Sequence, residues 1–246
     1  MKPAYFLILL FIGQNLFAQN DEAWKSASKE SEAYHEERMT ITFPPYGFSK
    51  VNDLISKIQN EGDGESEVLN SKVYVKLSLR EKFTYHMIHA ESYSQNCDAM
   101  PPIQDEHKKI FSYLPDAFGE YNWSARQKDF FYEYKDSVIA IMAESIKRTG
   151  KVGLNYKQVI LDINATTMIP LLIETYNKKT GQKDLDILTL FMLMMKENKD
   201  ETFLSSASYK KLYSDDSDYL AYLNYNKANE DLIIQRVTAF YNAHNK

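Results

Sequence analysis

The sequence predicts an all-α protein of stacked helical hairpins, either a HEAT-like solenoid or an irregular orthogonal bundle, with a short extended segment near residues 40–46. Three observations carry that expectation. Only 8 Gly and 7 Pro punctuate 246 residues, too few for the many tight turns of a β-sandwich or propeller. Hydrophobic residues make up 44% and charged residues 26%, enough apolar material for a core and well away from a disordered composition. From residue 49 onward the apolar residues recur at helical spacing.

Three parts follow in order: a signal peptide over 1–18, a polar N-terminal arm over 19–48, and a single helical domain over 49–246. Lys2 precedes the apolar run Ala4 to Ile12, which is too short for a membrane span and fits an export leader. Cleavage is expected after Ala18, and no Cys lies nearby to take a lipid. The protein is therefore expected to be periplasmic or extracellular, with no membrane span once the leader is removed. The mature chain keeps 28 basic and 34 acidic residues, a net charge of −6, which argues against a nucleic-acid partner.

Residues 19–39 are polar and mixed in charge, with Trp24 and Tyr34 as the only large aromatics, and read as a weakly held helix or mobile arm. Thr40 to Gly47 has β-branched residues followed by Pro44-Pro45, which forbids helix, so this stretch is extended and lies across the helical body. Ser49 can cap a helix through Val51, Leu54, Ile55 and Ile58. The run Glu61 to Glu65 resembles a calcium loop, but Gln59 and Asn70 fall where its first and last carboxylates belong, so it is read as a loop.

Ser78 and Glu81 form a capping box for a helix from Leu79 to Glu91, and Ser124 with Gln127 repeats the pattern ahead of Phe130, Phe131 and Tyr134. A short helix is expected around His107, Ile110 and Tyr113. Ile139, Met142 and Ile146 line a later helix face, Lys147 and Arg148 suit its C-terminal dipole, and Gly150 ends it. Val159, Ile160 and Ile163, then Met168 to Tyr176 with Pro170 in a first turn, are expected to pair as a helical hairpin. Ile187 to Met195 is apolar on every side, the mark of a central helix covered all round. Ala228 to Tyr241 returns to one-sided patterning.

The stretch richest in reactive side chains is His86 to Glu91, followed by Cys97, Asp98 and His107. His86 and His89 are three apart and share a helix side, so both can reach one divalent metal with Glu91, Asp98 or His107 completing the shell. The residue after His86 is Met87 rather than the Glu of a zinc-protease helix. The competing account places His86 half-buried at the core edge, bonded to a backbone carbonyl, and His89 at the border facing the loop. Cys97, the only cysteine, is either a small buried apolar residue or a nucleophile with a histidine base. No cofactor is required by any complete motif; Thr149 to Gly153 lacks the upstream Gly of a phosphate loop. Tyr219, Tyr222 and Tyr225 recur every third residue and on a helix form a slowly turning stripe, which packs on a neighbouring helix or binds a partner.

The resulting expectation is a non-enzymatic exported module that binds a partner protein or small ligand. Its rival is an exported metal-dependent hydrolase using His86, His89 and Glu91.

Overall fold

Ser28 starts the first described helix by accepting a hydrogen bond from the Ser31 amide, and Glu30 and Glu32 favour the same end through the helix dipole. The computed structural model describes residues 27–58, 67–94, 101–218 and 220–244. The leader and its cleavage site, Trp24, the calcium-like loop, Cys97, Asp98 and Tyr219 lie outside the described residues.

The described residues are mostly helical. In chain order the helices are α1 (Lys29–Arg38), α2 (Phe48–Ile55), α3 (Ser71–Tyr74), α4 (Leu79–Ile88), α5 (Ala125–Glu133), α6 (Lys135–Thr149), α7 (Leu154–Asp162), α8 (Ile169–Lys178), α9 (Asp186–Glu197), α10 (Glu201–Leu204), α11 (Ala207–Tyr213) and α12 (Lys227–His244). Four short strands interrupt them: β1 (Ser92–Tyr93), β2 (Lys109–Phe111), β3 (Tyr121–Asn122) and β4 (Tyr222–Asn224). They form two antiparallel ribbons, β1 with β3 and β2 with β4.

Helix α9 is the centre, buried at every residue from Asp186 to Met195, as its all-round apolar pattern requires. Each large side chain there adds about 1.5–3 kcal/mol by leaving water. Helices α7, α8, α10 and α12 and strand β2 pack against α9. The expected α7–α8 hairpin is replaced by this shared centre, with α7 resting mainly on α9, and α8 on α6, α9 and α12. A smaller core of Val51, Leu69, Tyr74, Leu77 and Tyr85 lies where α2 and α3 meet α4.

Both capping boxes form as their spacing demands, at Ser78 with Glu81 and at Ser124 with Gln127. Helix α4 stops at Ile88, short of Glu91, because Gln127 accepts the Glu91 amide and donates to the His89 carbonyl. Those bonds hold the chain extended from His89 onward. Helix α2 starts at Phe48 after Gly47, so Ser49 is not its cap. Gly150 ends α6 in the left-handed conformation, φ +65°. Pro170 sits in the first turn of α8.

One expected helix is a turn and a strand instead. Residues Glu106–Lys108 form one 3₁₀ turn and Lys109–Phe111 is a strand, where a helix around His107, Ile110 and Tyr113 was expected. The tyrosine stripe fails similarly: Tyr222 lies on β4 opposite Phe111, and Leu223 opposite Ile110. Alternation puts Leu223 and Ile110 inward, and the cross-strand pairing outweighs the helical spacing of the tyrosines.

The extended segment crosses the helical body as predicted. Thr42 exchanges hydrogen bonds with the Asn155 side chain, its amide donating to Oδ1 and its carbonyl accepting from Nδ2, both at 2.9 Å. Its hydroxyl accepts from the Gly153 amide, and Leu154 donates to the Thr40 carbonyl. Gly153 permits this approach, since a Cβ there would stand 2.2 Å from the Thr42 nitrogen. Residues 29–38 are bound into the body rather than loosely held: Tyr34 is 4% exposed and accepts a hydrogen bond from the Leu185 amide.

Candidate functional site

The histidine stretch folds around Gln127. The Gln127 Oε1 accepts from the amides of Glu91 and Ser124, so its Nε2 faces His86 Nδ1 at 3.0 Å and the His89 carbonyl at 2.8 Å. Nδ1 of His86 therefore accepts, and its Nε2 donates to the Tyr74 oxygen at 3.0 Å. His86 is fully buried against Phe130 and Phe131, not half-buried at the core edge, and its ring bonds to side chains rather than to a backbone carbonyl. Burial, then the charges of Arg126, Lys82 and His89, push its imidazole well below the usual value, so it is neutral.

His89 turns its Nε2 to the Glu67 carbonyl at 2.6 Å. Glu91, 1% exposed, accepts from Tyr85 Oη, Ser124 Oγ and Arg126. Burial pushes the Tyr74 phenol up to about 12, and Arg126 lies over its ring. His86 has no ring nitrogen left for a metal, and Glu91 is enclosed by donors. His107 belongs to another neighbourhood, its Nδ1 3.0 Å from Ser31 Oγ on α1. Among the described residues, no group of three His, Cys, Asp or Glu side chains is placed to hold a metal ion. Tyr222 packs beneath Lys109, and Tyr225 donates to Glu230, so neither belongs to a helical stripe.

A second buried network joins α1 to the body through charge. Arg38 Nε lies 3.0 Å from both Asp186 oxygens, and its NH1 reaches Glu106, which also meets His35 at 2.9 Å. Lys157, its side chain 3% exposed, sits 2.8 Å from Asp184 and 3.9 Å from Asp186. Burial raises the Asp186 carboxyl above the usual carboxylate range, opposed by the charges of Arg38 and Lys157. Burial works against the Arg38 charge too, but Asp186 and Glu106 hold its guanidinium above the usual value.

Lys157 and Asp184 open onto a cleft of about 730 Å³. The extended segment Thr40 to Phe43 covers one side, the α6 end and the Gly150–Gly153 turn another, and α8 a third. Ile41, Ile146, Val152, Leu171 and Ile187 give it apolar walls, and Phe43, 58% exposed, stands beside them. Around these walls are five lysines and three carboxylates. Sequence reading passed over this place, assigning Lys147 to the helix dipole and Gly150 to helix termination. The available signal was the crowding of lysines at 147, 151, 178 and 179 in an acidic chain.

Comparison with known proteins returned no match: no family model fits the chain, and no curated protein or solved structure is significantly similar to it. Function is therefore argued from the geometry of the sites themselves.

Proposed function

We propose that the chain is an exported, non-enzymatic binding protein that takes a small amphipathic ligand into the cleft beneath the Thr40 to Phe43 segment. The observation that carries this is the cleft itself, whose volume of about 730 Å³ falls in the range of small-molecule sites and whose walls are apolar with polar groups at the edge. The export leader read from residues 1–18 supports an extracytoplasmic setting. An irregular bundle suits such a cleft better than a solenoid, since several sequence-distant helices share α9 instead of each contacting only its neighbours. The hydrolase reading draws no such support, because His86 and Glu91 spend their polar atoms on each other's neighbourhood.

The test is a cleft-filling substitution. Thr175 lines the cleft on α8 and is partly exposed. In a thermal-shift screen of amphipathic compounds against purified, delipidated protein, at least one compound should raise the Tm. Thr175→Trp should abolish that shift while leaving the ligand-free Tm within a few degrees. No shift with any compound, or an equal shift in the variant, would overturn the reading.

A further inference from the structure

We infer that the cleft takes a single-headed organic anion on an aliphatic chain, the class of a fatty carboxylate. Its head would meet Lys147 and Lys151, and its chain would lie along Ile41, Phe43 and Leu171, the apolar lining residues that keep exposed surface. This rests on the cleft being a binding site. The first argument is the pairing of its charges. Lys157 is matched to Asp184, Lys178 to Glu174 and Lys179 to Glu37, which uses every carboxylate lining the cleft. Lys147 and Lys151 remain, and neither has a carboxylate within 4 Å among the described residues. In a chain of net charge −5, two cations that form no ion pair, Lys147 acting on Glu174 only from beyond 4 Å, make a local exception to the repulsion an anion meets elsewhere.

The second argument concerns the head group. Phosphate is held by arginine forks or by a nest of free backbone amides. No arginine lines the cleft, and the turn beside the two lysines has spent four of its five amides from Gly150 to Leu154, which leaves Val152 alone and no run of consecutive free amides to form a nest. Gly150 donates to the Ile146 carbonyl, Lys151 to Thr149 Oγ1, Gly153 to Thr42 Oγ1 and Leu154 to the Thr40 carbonyl. The hydroxyls of Thr149 and Thr175 donate to carbonyls of their own helices, and that of Thr40 to the Glu36 carbonyl of α1. What remains beside the Thr42 hydroxyl, which only accepts from Gly153, is two point charges on flexible stems, suited to a compact monoanion, with an aliphatic surface beside them.

Isothermal titration of the full mature chain with dodecanoate, dodecanol, dodecyl phosphate and dodecyltrimethylammonium, each below micelle formation, tests this. Dodecanoate should bind roughly five- to tenfold tighter than dodecanol, the scale of one or two solvated ion pairs. That advantage should shrink with added salt. Lys147→Gln with Lys151→Gln should bring dodecanoate to the level of dodecanol without changing dodecanol. Arg148→Gln, a charge change of the same sign and half the size on an exposed residue outside the cleft, should leave both unchanged. Equal binding of dodecanoate and dodecanol, tighter binding of the phosphate or the cation, or an equal loss in Arg148→Gln would overturn the assignment. If dodecanol binds and Thr175→Trp abolishes it while dodecanoate has no advantage, the ligand class fails and the cleft stands. If none of the four binds, the class is overturned, and the wider compound screen against Thr175→Trp decides the cleft separately.

Discussion

Gln127 and Asp186 are both almost wholly withdrawn from water, yet they hold their surroundings together by different chemistry. Gln127 joins a neutral imidazole, a peptide carbonyl and two peptide amides, and each of its polar atoms has a partner. Asp186 lies between two cations, Arg38 and Lys157, drawn from α1 and α7. The neutral centre closes on itself. The charged one continues through Lys157 and Asp184 to the cleft wall. His86 and Glu91, which look reactive in the sequence, are therefore saturated by the fold, while the accessible space is bordered by lysines and aliphatic side chains of ordinary appearance.

The largest expected effect separates the two centres by charge. Arg38→Met keeps much of the side chain's length but leaves Asp186 and Glu106 buried with less compensation, and should cost about 3–5 kcal/mol in denaturant unfolding. A cost below about 1 kcal/mol would show that the charged network does not fasten α1 to the body. Next, Gln127→Ala strands the Glu91 amide, the His89 carbonyl and His86 Nδ1, for a loss of about 2–3 kcal/mol. Near-additive behaviour of the two substitutions in the double variant would confirm that the centres are independent.

The smallest effect is a pH dependence of opposite sign at the two centres. His86 in the native state has its pKa below the unfolded value of about 6.5, so as pH falls below that point only the unfolded chain takes the proton. Stability is lost on acidification at up to about 1.4 kcal/mol per pH unit until the native pKa is reached, and His86→Gln should remove that slope between pH 7 and 5. Asp186 acts the other way. Its native pKa is raised, so its contribution is fully present below the unfolded carboxylate value and lost as pH rises through the native one. Unfolding curves of His86→Gln that keep the full acid slope would place the titrating group elsewhere.

Local features were legible. The capping boxes at Ser78 and Ser124 need partners only three residues away, and Gly150 and Pro170 act on their own turn of chain. The uninterrupted apolar run of α9 specified its central position, because no face of it can meet water without cost. The candidate sites were not legible in the same way. His86 and His89 do lie close together, but the side chain that fixes which His86 nitrogen accepts is Gln127, 41 positions away. Tyr222 carries helical spacing in sequence, and only its pairing with Phe111 makes it a strand residue.

By itself, then, the amino-acid order determined the helix ends set by a local cap or terminator, at Ser78, Ser124, Gly150 and Pro170, and the one helix that must be enclosed, since those depend on contacts one turn apart and on the free energy of leaving water. Tertiary structure decided which polar groups are consumed and which stay available. The Arg38–Asp186 contact spans 148 positions, and the cleft exists only where the Thr42 backbone rests on Gly153 and Asn155. Hydrogen-bond satisfaction and burial are properties of the whole neighbourhood, and the neighbourhood is assembled by packing rather than by proximity along the chain.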